Sequence, residues 1–394
     1  MDPSPMPTDS PALNKQVAEI LGDDRFRDAV KRAVGLSSDF ADRLEFRIHA
    51  NDQMLTHSLV HHQDAAIALS QYYNISIQQF NCFRQIAESG FEHPENLQIL
   101  DFACGYGRLL RFLAAWLPNH NIRGAEIQAD ALETNKRLFG IEGHLSNSDP
   151  EAFSVNRRFD MIWVASLFSH LPDRLFRAWL GKLHSLLEPG GVLCFSVRDE
   201  SQFGGKMPAE GFVYRPESER IPIDSSIYGT AWASERYVRQ AIASSISAAV
   251  ECMRIPRALA MEQDLYVLYN TERPTPIRPD RFRRGPWGWV DRMRRSSDGR
   301  IRIEGWACSL DGSELDAVEV RIDDDTARIE TGIARPDVAD AFDNPALAHC
   351  GFEFNATPAE PGAPGFVEVS AICQNERALL YAGPMNPRGT TSNE

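Results

Sequence analysis

Between about residue 97 and residue 200, short apolar runs alternate with amphipathic stretches, and no other feature restricts the fold as tightly. NLQILDF, NIRGAEI, RFDMIWVAS and VLCFSV are strand candidates. After the first of them Leu109, Phe112, Leu113, Trp116 and Leu117 recur at i, i+3, i+4, i+7 and i+8, which is one face of a helix. ADALETNKRLF forms a second helix. A third carries Leu175, Phe176, Trp179, Leu180, Leu183 and Leu187 on one side and stops at Pro189-Gly190-Gly191. Strands joined by whole helices run parallel, because the crossover must return the chain to the same end of the sheet. The segment therefore predicts an α/β fold with a Rossmann-like, mostly parallel sheet and helices on both faces.

The rest of the 394 residues leaves room for further domains. Residues 1–12, rich in Pro, Ser and Asp, read as a disordered tail, and residues 13–96 as a helical N-terminal extension. The α/β domain spans 97–271, closing with helix SERYVRQAI and strands near VECMRI and DLYVLYN. Residues 272–298 read as an Arg/Pro-rich linker containing GPWGW. In 299–384, RIRIEGWA, AVEVRI, DTARIE, GFEFNA and FVEVSAI alternate apolar and polar residues, as the strands of a small β-sandwich do. Residues 385–394 read as a flexible tail.

The 41 basic and 55 acidic residues leave a net charge of −14, which argues against nucleic acid as a partner. The charge is uneven: −8 over residues 1–271, +6 over 272–302 and −12 over 303–394. Arg283, Arg284, Arg294 and Arg295, beside Trp287 and Trp289, suggest contact with an anionic substrate or an anionic membrane surface. Seven cysteines without a C-x-x-C pair read as buried free thiols of a reducing compartment. The N-terminus lacks a basic start and apolar run, and no stretch reaches about 18 apolar residues, so a cytoplasmic location is expected.

Chemistry concentrates at Ile99-Leu100-Asp101-Phe102-Ala103-Cys104-Gly105-Tyr106-Gly107-Arg108, an acid and a small-residue turn between a strand and a helix. Small residues let backbone approach a ligand closely. A dinucleotide fingerprint would need a third small residue where Leu110 stands, which disfavours an NAD-dependent oxidoreductase. The pattern acid-x-small-x-Gly-x-Gly instead resembles class I S-adenosylmethionine-dependent methyltransferases. That resemblance implies a cofactor site formed by Asp101, Ala103, Cys104, Gly105 and Gly107, and a ribose-binding acid at Glu126, 19 residues after Gly107. It puts the adenine-contacting loop at HLSNSD, with Asn147 and Asp149 as ligands, and the wall of the methionine pocket after FDMIWV, at Ser166. Ala103 stands where the family usually has glycine, and its methyl group is tolerable where φ stays negative. In some of these enzymes, aromatic residues upstream cap the cofactor; Tyr72 and Tyr73 are the candidates here.

The resemblance implies methyl transfer to a small-molecule or glycan acceptor. For a hydroxyl acceptor a general base helps, and His170, just past the fourth strand, is best placed. His144, His57, His61 and His62 have weaker claims, and none belongs to a set with metal-ligand spacing. GWA at 305–307, ARPDVADAF at 334–342 and CGFEF at 350–354 resemble a β-sandwich module found beside bacterial enzymes of surface-polysaccharide assembly. Trp306, Phe352 and Phe354 read first as its core and second as a sugar-stacking platform. A non-catalytic scaffold of polysaccharide assembly is the alternative, kept open by Ala103.

Overall fold

The computed structural model of the chain describes residues 11–216, 226–260, 262–270, 282–296, 300–356 and 365–385. They form two compact units. One takes residues up to Ala41, Phe46–Gln78 and residues from Arg283 on; the other takes Asp42–Glu45 and Gln79–Phe282. Five helices open the chain: α1 (Pro11–Gly22), α2 (Asp24–Val34), α3 (Ser38–Arg43), α4 (Gln53–His62) and α5 (Ala65–Gly90). The unit boundary falls inside α5, so the segment read as one N-terminal extension is shared between both.

The second unit is built on a sheet whose strands β1 (Ile99–Phe102), β2 (Ile122–Glu126), β3 (Glu142–Leu145), β4 (Phe159–Val164) and β5 (Leu187–Asp199) lie parallel in the order β3-β2-β1-β4-β5. Helices α6 (Leu110–Trp116), α7 (Ala129–Phe139) and α8 (Asp173–Ser185) make the crossovers. All four residues of β1 are buried, as expected of a central parallel strand covered on both faces. Phe102, Phe153, Phe168, Phe176, Trp179 and Phe195 fill one core. Phe80 and Phe83 of α5 pack with Phe112, Trp116 and Trp163 in another. The chain leaves β1 toward β2 on one side and reaches β4 on the other, and at such a reversal open α/β sheets bind ligands above the strands' carboxyl ends.

Beyond β5 a hairpin of β6 (Phe212–Arg215) and β7 (Thr230–Ala233) joins the end of β5 through Arg198 and Asp199. After α9 (Glu235–Ser245), strands β8 (Val250–Leu259) and β9 (Gln263–Asn270) complete the sheet, β9 running antiparallel to both β5 and β8.

The first unit holds two antiparallel sheets. β10 (Pro286–Arg295), β11 (Ile301–Ser309) and β14 (Gly351–Ala356) form one; β13 (Asp325–Ile329), β12 (Ala317–Ile322), β15 (Phe366–Cys373) and β16 (Glu376–Pro384) form the other, in that order. The short helix α10 (Pro336–Ala341) precedes β14. Three sequence expectations need correction. Residues 286–295, placed in the linker, are strand β10: Pro286, Gly288, Val290 and Met293 are buried, an alternation broken by a bulge between Val290 and Arg292 and masked in sequence by Gly, Pro and Arg. Residues 271–281 and 297–299 lie outside the described residues. Pro11 and Ala12 begin α1 rather than ending a tail, proline being suited to a first helical turn. Met385, assigned to the flexible tail, is buried and its N–H donates to the Gly365 carbonyl at 2.7 Å.

Within this unit the helices pack on the outer sheet. Ala382 N–H donates to Ser70 Oγ at 2.8 Å and Leu379 N–H to Asn74 Oδ1 at 3.2 Å. A Cβ on Gly383 would fall 2.5 Å from that of Ala66. Arg32 of α2 donates at 2.5 Å to the buried carboxylate of Glu368. Arg283 and Arg284 each stand 3.6 Å from Asp311, so part of the basic segment's charge is met inside its own unit.

Candidate functional site

The site is built where β1 ends. Asp101 is 3% exposed, and beyond Phe102 the chain curls through Ala103, Gly105 and Gly107 at φ of 59°, 52° and 83°. Ala103 thus adopts the left-handed conformation, contrary to the expectation of a negative φ. The cause is tertiary: the Ala125 carbonyl at the end of β2 accepts from both Ala103 N–H (2.8 Å) and Cys104 N–H (3.2 Å), which forces the turn. A Cβ at Gly107 would meet the Phe139 ring at 2.4 Å and Asn135 Oδ1 at 2.6 Å, so this glycine is required by packing as well as by φ. A Cβ at Gly105 would meet nothing within 4 Å; the loop leaves open space there. Asn135 Nδ2 donates to the Gly105 carbonyl at 2.9 Å and braces the turn from α7. Cys104 packs inward, its Sγ facing Gly124, and burial holds its thiol well above the usual range. The cysteine's contribution is its backbone, not its sulfur.

Two buried carboxyl groups lie within electrostatic reach of each other beside this turn. Glu126, 6% exposed, accepts from Gly105 N–H at 2.9 Å with Oε2, and from Ile127 N–H (2.7 Å) and Gln128 N–H (3.1 Å) with Oε1. Burial raises its pKa, partly opposed by those three amides. Asp101 is pushed up to about 8, by burial first and by the Glu126 charge second, with Arg108 opposing. A pocket that holds one carboxylate and strains to ionise another favours a cationic ligand.

Leu145 pairs with Glu126 across β2 and β3 and is 62% exposed; Ile127, next to Glu126, is 38% exposed. These are two of only three large apolar side chains left exposed among the described residues, one beside the acid in sequence and the other across the strand from it. Asn147 is exposed beyond β3. Its Oδ1 accepts from Asp149 N–H at 2.6 Å, while Asp149 accepts from Glu151 N–H at 3.1 Å. One oxygen of each residue shapes the turn, which leaves the Asn147 amide nitrogen and the second Asp149 oxygen as the groups this loop can offer a ligand.

At the end of β4, Ser166 also has a left-handed φ, 59°. Its N–H donates to Ser196 Oγ at 2.8 Å, and Gln263 contacts both hydroxyls. His170, 5% exposed, donates from Nδ1 to the Gly229 carbonyl at 2.7 Å, and its ring lies parallel to Tyr228 with centroids 4.6 Å apart. A carbonyl only accepts, so the proton sits on Nδ1 and Nε2 carries the basic lone pair.

Tyr72 and Tyr73 do not join this group. They belong to the other unit, are 2% and 0% exposed, and donate their hydroxyls to Asp52 Oδ2 (2.8 Å) and the Phe46 carbonyl (2.9 Å). Tyr73 packs edge-on to Phe26 and Tyr72. They are core residues of a helix buried on several sides. Among the described residues no group of His, Cys, Asp or Glu could hold a metal, all seven cysteines are free thiols, and no helix is long and apolar enough to cross a membrane. Sequence reasoning missed Asn135, Ser196, Gln263 and the Ile127/Leu145 pair. Asn135 and Ser196 had a signal, each being a polar residue on a face otherwise reserved for the core.

Comparison with known proteins meets the geometry here. Residues 99–191 match a family described as a methyltransferase domain. The stretch runs from the first residue of β1 to the turn inside β5 and so contains the loop, Glu126 and His170. A curated relative, malonyl-[acyl-carrier protein] O-methyltransferase 2 of Ilyobacter polytropus, is 26% identical over 108 residues, 27% of this chain and 41% of that protein. The chain therefore spans about two fifths of its length. Among solved structures, a glycopeptide N-methyltransferase, MtfA, complexed with S-adenosylhomocysteine is 18% identical with a TM-score of 0.35, covering 48% of this chain and 89% of that one. DesVI of Streptomyces venezuelae is 16% identical with a TM-score of 0.37, covering 50% and 92%. These two overlaps are too loose to bear on the acceptor. Leu110 is fully buried against Gly124 within the matched residues, where a dinucleotide fold would need its third small residue.

Proposed function

We propose that the second unit is an S-adenosylmethionine-dependent methyltransferase. One observation carries this reading: Asp101 and Glu126 lie buried beside a glycine turn that leaves open space at Gly105, an electronegative pocket fitted to a cationic nucleoside. When bound, the cofactor supplies a methyl group on a sulfonium, a good leaving group, and transfer is an in-line displacement. What the chain contributes is alignment and exclusion of water. Glu126 is placed to accept from the ribose hydroxyls, Ile127 and Leu145 to hold the adenine faces, and Asp101 to favour positive charge at the methionine end.

His170 serves as general base for a hydroxyl acceptor, with Gly229 fixing its tautomer, Tyr228 its plane, and Nε2 as the nitrogen that takes the proton. The acceptor is a small molecule or a glycan-related compound. An oxygen acceptor agrees with the name of the curated relative, and the resemblance of the β-sandwich sequence to modules of polysaccharide assembly supports a glycan. The exposed Arg294 of β10 is a contact point for an anionic membrane, which sedimentation with anionic against neutral liposomes tests.

Titration with S-adenosylmethionine and S-adenosylhomocysteine tests the cofactor reading. Micromolar binding that falls at least tenfold in Glu126→Ala and Gly105→Val is expected; no binding by the wild type refutes it. Labelled-methyl transfer to glycan intermediates, with His170→Ala alongside, tests the base, and an unchanged rate in that variant removes the assignment. The second reading is a scaffold that binds cofactor without turnover. The strained Ala103 favours it, and measured transfer to any acceptor excludes it.

A further inference from the structure

The hydroxyl of Ser166 sits in a three-residue network whose proton directions can be worked out. Ser196 Oγ accepts from Ser166 N–H at 2.8 Å, and its own proton goes to Gln263 Oε1 at 2.6 Å. That bond orients the Gln263 amide. Turned the other way, it would leave the Ser196 proton without that acceptor. Oriented as it is, Gln263 Nε2 donates to Ser166 Oγ at 3.0 Å. The Ser166 carbonyl is engaged as well, accepting from Ser169 Oγ at 3.2 Å. Ser196 is fully buried and Gln263 is 7% exposed, so water does not compete for these bonds. Ser166 itself is half-buried.

With one of its two acceptor sites used by Gln263, the half-buried Ser166 hydroxyl donates its proton across a loose 3.2 Å to Gln263 Oε1 and can turn it to a better acceptor. We propose that Gln263, on β9 and outside the matched residues 99–191, is a positioning residue that fixes Ser166 as a donor for the α-carboxylate at the amino-acid end of the cofactor. The left-handed φ of Ser166, held by the Ser196 bond, is the local strain that keeps the hydroxyl in place.

The inference rests on the cofactor reading above, and two ligands separate them. S-adenosylhomocysteine carries the amino-acid end and methylthioadenosine lacks it, while both keep the nucleoside. A hydrogen bond to a charged group corresponds to roughly a tenfold to hundredfold effect on affinity. Calorimetric titration of Ser166→Ala and Gln263→Met should show S-adenosylhomocysteine weakened about tenfold or more, with methylthioadenosine within about twofold of wild type. Thermal melts identify any variant that has lost its fold, and Gln263→Leu replaces Gln263→Met in that case. Equal losses for both ligands, or no loss for either, overturn the proposal. Wild-type protein that binds neither ligand overturns the cofactor reading instead.

Discussion

Replacing Asp101 with asparagine should stabilise the ligand-free protein and weaken its hold on the cofactor. An ordinary aspartate titrates near ~3.9, whereas burial and the neighbouring Glu126 push Asp101 up to about 8. The folded chain therefore keeps this proton while the unfolded chain releases it. Stability from this group is fully present below pH ~4 and is lost as pH rises toward 8, at up to about 1.4 kcal/mol per pH unit. Asparagine has the same shape and no charge to bury, so it does not share the loss. The stability difference between Asp101→Asn and wild type should grow through that window to on the order of 5 kcal/mol and level off above pH 8. Urea unfolding at pH 5, 6, 7 and 8, followed by fluorescence of the buried Trp163 and Trp179, measures it. In a Glu126→Gln background the window should shift to lower pH, because the second cause of the raised value is gone. S-adenosylhomocysteine, whose ammonium prefers a charged Asp101, should bind the asparagine variant at least tenfold more weakly at pH 8. A stability difference that stays flat between pH 5 and 8 would mean that Asp101 ionises normally and would refute the claim that burial and Glu126 oppose its charge.

Ala103→Gly removes a left-handed φ that costs a non-glycine residue roughly 1–2 kcal/mol, offset in part by glycine's larger unfolded entropy. Differential scanning calorimetry should show a net gain of up to about 1 kcal/mol with cofactor affinity retained. Gly107→Ala drives a methyl group into Phe139 and Asn135 at a φ of 83° and should destabilise by about 2 kcal/mol or more, with cofactor binding lost in the same titration. Leu145→Ser should leave the melting temperature unchanged, because the side chain is 62% exposed, while lowering affinity for methylthioadenosine several-fold. Arg32→Ala removes a partner of the buried Glu368 and should cost about 1–3 kcal/mol in urea unfolding.

The glycine turn after β1 was legible because its determinants are local. Asp101, Gly105 and Gly107 lie within seven residues, and Glu126 follows at the end of the next strand. The features that escaped depend on distant partners. Gln263 reaches Ser166 across 97 positions, and nothing in QDLYVLYN marks its first residue as different from any strand-edge glutamine. The periodicity of α2 and of the first half of α5 announces an apolar face but not what covers it. That cover, the β15–β16 edge of a sheet formed about 300 residues later, made an apparent extension of the α/β domain part of the β unit. The burial of Tyr72 and Tyr73 escaped for the same reason: a helix covered on several faces buries aromatics that on a one-sided helix would stay available.

Backbone strain separates the site from the rest of the fold by elimination. Nine non-glycine residues have positive φ among those described. Gln63 caps α4, Asp323 turns β12 into β13, and Gln374 and Asn375 make the two-residue turn between β15 and β16, where left-handed residues are expected. Arg257 and Ala260 accompany the irregular register between β8 and β9, and Asp343 follows α10. Ala103 and Ser166 have no such excuse: neither caps a helix nor turns a hairpin. They follow β1 and β4, adjacent parallel strands on the two sides of the point where strand order reverses, and each is locked by a bond from a third strand, Ala125 on β2 for one and Ser196 on β5 for the other. Two such costs kept at one edge of the sheet, on either side of the reversal, support the proposed cofactor site independently of the carboxylates.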